Sequence, residues 1–151
     1  MKSFDLVIKN ARVVRPNDSG VDCVDVAIKA RILVVEDDAR SGRVLARLLE
    51  QDGFEVDLVR DGAVAIARLR EGPLPDLLCT DVQLPHVSGL ALARFGRSLA
   101  PELPLVLTTG YPQRAAEIVR ELDPHPVVLT KPLDYQALRC EIRALLARSH
   151  A

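Results

Sequence analysis

The sequence predicts an α/β protein: a parallel sheet of five strands with helices on both faces, preceded by a short β segment of different character. Three observations carry this expectation. Apolar runs of strand length alternate five times with amphipathic helical patterns. Four of those strands, the first, third, fourth and fifth, end in polar residues, which a parallel sheet gathers on one edge. Composition also changes near Arg31. Both asparagines (Asn10 and Asn17) and three of the four lysines (Lys2, Lys9 and Lys29) lie before it, whereas fourteen arginines and a single lysine, Lys131, lie from Arg31 onward.

Residues 1–30 read as two strands around a turn. "FDLVIKNARVV" and "VDVAIKA" are partly alternating and β-branched, and "RPNDSG" between them is turn chemistry. "RILVVE" then opens the alternating part as a buried strand. The helix after it, "ARSGRVLARLLEQDG", sets Val44, Leu45, Leu48 and Leu49 on one face, with Arg40, Arg43 and Arg47 toward solvent. Asp38 stands where a side chain can cap that helix. "FEVDLV" is the second strand, and its helix runs through Val64, Ile66 and Leu69. "DLLCTD" is the third, followed by a helix over Leu92, Phe95 and Leu99 in which Gly96 costs roughly 1 kcal/mol against alanine. "LPLVLTT", a helix from Pro112 to about Leu122, and "PVVLT" complete the strands. Leu138, Ile142, Leu145 and Leu146 mark the last helix. Parallel neighbours need a crossover, usually helical, so five βα units imply one sheet covered on both sides.

At 151 residues the chain can bury a sizeable core, and a net charge of −1 argues against bulk electrostatic binding of nucleic acid or membrane. Cys23, Cys79 and Cys140 are odd in number and lack CxxC spacing, so no disulfide framework is expected. Cys79 fits a small core residue. Neither a signal peptide nor an apolar run of membrane length is visible, and a cytoplasmic protein is expected.

The strand ends carry the chemistry. The first alternating strand ends in Glu36 and Asp37, with Asp38 next, and the third ends in Asp81. The fourth ends in Thr108 and Thr109 before Gly110, and the fifth in Thr130 and Lys131 before Pro132. Carboxyl ends of parallel strands share one edge, so these groups converge. Three close carboxylates repel by about 4 kcal/mol per pair at an effective dielectric near 20. An all-oxygen set of this kind suits Mg²⁺, with Lys131 as a compact cation and Thr109 as a hydroxyl donor. The set describes a pocket in which Asp81 acts as nucleophile toward a phosphoryl group.

Residues 31–149 resemble the receiver domain of two-component response regulators, the CheY-like, flavodoxin-like fold. The likeness rests on "ILVVEDD", on "TDVQLPHVSG" with its D-x-x-x-P-x-x-x-G spacing, on "LTTGY" and on "TKP". It implies a sheet order of 2-1-3-4-5 for the five alternating strands. It also implies that Asp81 accepts phosphate from a histidine kinase or a histidine phosphotransfer protein. Glu36, Asp37 and Asp81 would hold Mg²⁺ with the carbonyl of Gln83, Thr109 would turn toward the phosphoryl group, and Lys131 would contact it. The Lys131–Pro132 bond is often cis in this family, and Gln83 and Tyr111 flank its phosphate site. One departure stands out: the family often places a switch aromatic three residues before the lysine, and here that residue is Val128. A receiver fold serving as a non-phosphorylated interaction scaffold is the alternative reading.

Residues 1–30 resemble the opening β-hairpin of cyclic amidohydrolases such as hydantoinases and allantoinases, and read as a graft of separate origin. The hydrolase activity does not follow, because His86, His125 and His150 are the only histidines. The hairpin is expected to stay mobile, to lean on the receiver, or to pair with a second copy as a homodimer through its open edge.

Overall fold

The structure is a computed structural model that describes the backbone of residues 6–14 and 21–149 and the side chains of residues 29–149. Strands β1 (Leu6–Val14) and β2 (Val21–Ile28) pair antiparallel, from Leu6 opposite Ile28 to Val14 opposite Val21, with a register shift between Ile8 and Ala11. The turn expected over residues 15–20 lies outside the described residues. Only Lys29 and Ala30 separate β2 from β3 (Arg31–Val35), which belongs to a different sheet.

From β3 the chain alternates as its pattern predicts. The order is α1 (Ala39–Gln51), β4 (Glu55–Val59), α2 (Gly62–Glu71), β5 (Leu77–Asp81), α3 (Gly89–Leu99) and β6 (Leu105–Thr109). A 3₁₀ turn over Pro112–Arg114 runs into α4 (Ala115–Arg120), and β7 (Val127–Thr130) and α5 (Tyr135–Ser149) follow. The sheet is parallel with order β4-β3-β5-β6-β7. Counted among the five alternating strands this is 2-1-3-4-5, the flavodoxin-like order.

Period-two alternation divides each central strand between two cores. Leu33, Val35, Leu78, Leu105 and Leu107 point to one face, where Ala65 and Leu69 of α2, Leu92 and Ala93 of α3, and Ile118 of α4 cover them. Ile32, Val34, Leu77, Cys79 and Val106 point to the other, under Leu49 of α1 and Leu138, Ile142 and Leu146 of α5. Every residue of β5 and β6 is buried, whereas the edge strands β4 and β7 are only partly so.

Two helices sit rotated from the faces their large apolar residues predict. In α1 the buried residues are Gly42, Ala46 and Leu49, while Val44 is 54% exposed. In α2 they are Gly62, Ala65 and Leu69, and Val64 is exposed. Small residues let these helices approach the sheet closely, and a Cβ on Gly42 would lie 3.2 Å from Leu58 Cδ1. Leu99 of α3 is likewise exposed. Gly96, a weak point by helix propensity, has a packing reason. A Cβ there would come within 2.9 Å of Leu103 Cδ2.

Candidate phosphoacceptor and metal site

The loop after β3 places two acids with opposite tasks. Glu36 turns inward and its side chain is only 10% exposed. Asp38 turns outward and caps α1, its Oδ1 accepting the Ser41 N–H at 2.7 Å. Asp37 between them is exposed, and its backbone carbonyl accepts the Arg60 guanidinium at 3.3–3.4 Å.

Asp81 closes the central strand, with its side chain 6% exposed. The ladder continues one residue beyond it, because Val82 N–H donates to Thr108 O at 2.9 Å. The chain then loops out and returns at Gly89, whose N–H donates to Val82 O at 3.0 Å. A Cβ on Gly89 would sit 1.9 Å from the Asp81 carbonyl oxygen. This close approach is the physical reason for glycine at the end of the D-x-x-x-P-x-x-x-G spacing. Within the loop His86 is an exposed, solvated residue with φ of 66°.

Thr109 is fully buried at the end of β6. Its Oγ1 accepts from Tyr111 N–H at 3.0 Å and from Gln83 Nε2 at 3.4 Å. Lys131 N–H donates to Thr109 O at 2.8 Å, and the Lys131–Pro132 bond is cis. The Lys131 ammonium points inward, where Nζ lies 2.6 Å from Asp81 Oδ2 and 3.2 Å from Glu36 Oε2. The other Asp81 oxygen, Oδ1, accepts the Gln83 backbone N–H at 2.9 Å. Both carboxylate oxygens therefore have a donor, and the plane of the group is fixed.

One ligand oxygen each from Glu36, Asp37 and Asp81 lies within 4.8 Å of the others. Three carboxylates against one ammonium leave an excess of two negative charges, which matches a divalent cation. Burial is the main cause that raises the Glu36 pKa above the usual glutamate range; Lys131 works against it and Asp81 adds to it. For Lys131 burial is the largest single influence and favours the neutral amine. The bonds and charges of Asp81 and Glu36 together outweigh it, so the pKa is raised. Cys79, on the strand beneath, is pushed up to about 12 by burial and is an inert core thiol, as its position predicted.

Sequence reasoning did not find the cleft beside these groups. It holds about 420 Å³ between α1 and the β7–α5 loop, with Val44, Leu45, Leu48, Pro132, Leu133 and Tyr135 among its walls. Tyr135 donates its hydroxyl to Asp52 at the end of α1, which Arg139 also approaches at 3.5 Å. Exposed Val44 was the available signal, had α1 been oriented by its small residues.

A profile of the response regulator receiver domain matches residues 32–143. The chain belongs to the response regulator receiver family. Over 116 residues it is 35% identical to the response regulator receiver protein CpdR of Brucella abortus, covering 77% of this chain and 96% of that protein. It is 34% identical over 128 residues to the alkaline phosphatase synthesis transcriptional regulatory protein SphR of Synechococcus elongatus, of which it spans about half, 50%. Among solved structures, a receiver protein from Sinorhizobium medicae superposes with a TM-score of 0.73 at 29% identity, covering 79% of this chain and 95% of that one. The response regulator TrrA of Thermotoga maritima, solved in complex with Mg²⁺ and BeF, gives a TM-score of 0.69 at 26% identity over 78% of this chain and 99% of that one. No helix among the described residues is long and apolar enough to cross a membrane.

Proposed function

We propose that this receiver is a phosphorylatable switch in which Asp81 takes a phosphoryl group from a phosphohistidine of a histidine kinase or histidine phosphotransfer protein. The observation that carries the reading is the Asp81 carboxylate itself. It is buried at the end of the central strand, held on both oxygens, bonded to Lys131 and grouped with Glu36 and Asp37.

In the reaction an Asp81 carboxylate oxygen attacks phosphorus, the P–N bond of the donor breaks, and an acyl phosphate forms while the imidazole leaves with its electron pair. Lys131 stays beside Asp81 as a compact positive charge toward the phosphoryl oxygens, and Thr109 offers them its hydroxyl proton. Glu36, Asp37 and Asp81, with the Gln83 carbonyl, would hold Mg²⁺. When bound, that ion neutralises charge on the phosphoryl oxygens. The apolar cleft with exposed Val44 opens at the same place, which suits a donor presenting its histidine from a helix laid along α1 and the β7–α5 loop. The setting is cytoplasmic, and the chemistry is self-phosphorylation and self-dephosphorylation rather than turnover of a separate substrate.

A small phosphodonor with Mg²⁺ should add one phosphoryl mass to the intact protein and none to Asp81→Asn. Equal labelling of that variant moves the acceptor elsewhere. No labelling of a folded wild-type chain favours the scaffold alternative.

A further inference from the structure

Gln83 touches both halves of the site, by two different parts of itself. Its backbone N–H holds Asp81 Oδ1 at 2.9 Å. Its side-chain amide reaches across to the next strand end, where Nε2 donates to Thr109 Oγ1 and Oε1 accepts the Gly110 N–H, each at 3.4 Å. The amide's orientation is not arbitrary. A backbone N–H can only donate, so the oxygen must face Gly110, and Nε2 is thereby turned to Thr109.

Thr109 Oγ1 also accepts from Tyr111 N–H at 3.0 Å, which occupies both of its acceptor positions and leaves only its proton to give. A phosphoryl group on Asp81 would draw that hydroxyl toward it. At 3.4 Å the contact with Gln83 is already at the limit of a hydrogen bond, so a shift of the hydroxyl away from Nε2 would break it. The Gly110 contact hangs on the same amide and would go with it. Val128, half-buried against the core on β7, carries no polar atom with which to follow the Thr109 hydroxyl. We infer that the Gln83 side chain is a latch that holds Thr109 and Gly110 in the resting arrangement, and that its release carries the state of Asp81 into the β6–α4 loop. The inference rests on Asp81 as phosphoacceptor. It goes beyond that reading by giving Gln83 a positioning role through its side chain, separate from its backbone carbonyl.

The test uses the full chain, with beryllofluoride and excess Mg²⁺ as the phosphoryl mimic, followed by amide NMR. Gln83→Met keeps the length of the side chain without its hydrogen bonds, and Gln83→Ala removes it. In the resting protein both variants should move the Gly110 amide proton upfield. Both should bind beryllofluoride more tightly by roughly threefold to tenfold, the equivalent of about one net hydrogen bond lost from the resting state alone. An unmoved Gly110 resonance, or an affinity that stays level or falls in Gln83→Met, overturns the latch. A folded wild-type chain that gives no beryllofluoride response removes the phosphoacceptor reading instead, and the latch with it.

Discussion

The five-stranded sheet has two edges made by the same strands, and they treat charge in opposite ways. At the amino edge the ion pairs are open to water. Arg31 and Glu55 stand 3.7 Å apart with 38% and 64% of their side chains exposed, and Arg68 and Asp57 are equally distant and comparably exposed. Such pairs contribute between nothing and about 1 kcal/mol. At the carboxyl edge Glu36 and Asp81 are 10% and 6% exposed, drawn onto a single ammonium. Buried acids in excess over their cation cost stability, and a fold that keeps them is holding strain that a ligand can relieve. The least comfortable charges of the molecule lie at its carboxyl edge, where the candidate site is.

Breaking the carboxyl edge sterically should have the largest effect. Gly89→Ala would drive a methyl into the Asp81 carbonyl, against rigid backbone rather than a side chain that can swing aside. Denaturant unfolding should show a loss of about 3 kcal/mol or more. Gly110 supplies the control in the neighbouring loop, because a Cβ there meets nothing within 4 Å. Gly110→Ala should fall within about 0.5 kcal/mol of wild type. Equal costs for the two would mean that the β5–α3 loop can relax away from Asp81.

Relieving the charge there should raise stability. Asp37 is the exposed member of the acidic group, so its charge can be removed without leaving a buried partner unpaired. In the absence of metal, Asp37→Asn should melt about 2–4 °C higher, corresponding to roughly 1 kcal/mol. The gain in melting temperature on adding Mg²⁺ should shrink in the same variant. A lower melting temperature with an undiminished Mg²⁺ response would show that Asp37 takes no part in the cluster.

Much of this contrast was legible in the sequence. Apolar runs ending in Glu36, Asp81, Thr109 and Lys131 placed all four at one edge, because a parallel sheet leaves no other arrangement. The strand order followed from the family likeness. The exact faces of α1 and α2 were not legible, since a pattern search weights Val44 and Val64 above Gly42, Ala46 and Ala65. Close helix–sheet approach reverses that weighting and leaves the two valines outside. Nor could spacing reveal that the amide of Gln83 bridges two loops, because glutamine is unremarkable in a loop until its neighbours are known.

Two acids of one loop couple stability to pH with opposite sign. The Glu36 pKa is raised, chiefly by burial, so the folded state binds its proton more tightly than the unfolded state does. Its contribution is present below the unfolded value and is lost as pH rises through the folded one. The Asp38 pKa is lowered, first of all by the Ser41 N–H bond, so its contribution is present above the unfolded value and is lost as pH falls through the folded one. Melting curves against pH in the presence of chelator should therefore change in opposite ways. Glu36→Gln should flatten the decline on the rising side, and Asp38→Asn the decline on the acid side. If both variants flatten the same limb, the inward and outward assignments of these acids are wrong.

The smallest effect is expected at the amino edge, from removing residues ahead of it. Ala30 is 4% exposed and packs in the core under α1 and α5, and its carbonyl accepts the Glu55 N–H at 2.9 Å. The folding unit we propose therefore starts one residue earlier than the composition change at Arg31 suggests. A chain beginning at Lys29 behind an initiating methionine keeps Ala30 in place and sheds only the β1–β2 pair. A two-stranded pair is at best marginally stable in water by itself. That chain should melt within about 2 °C of the full protein and take phosphate equally well. A chain beginning at Arg31 puts the methionine, with its charged α-amino group, into the buried position of Ala30. It should lose about 1 kcal/mol while remaining folded. Equal stability of the two shortened chains would take Ala30 out of the core, and unfolding of both would make residues 1–28 part of it.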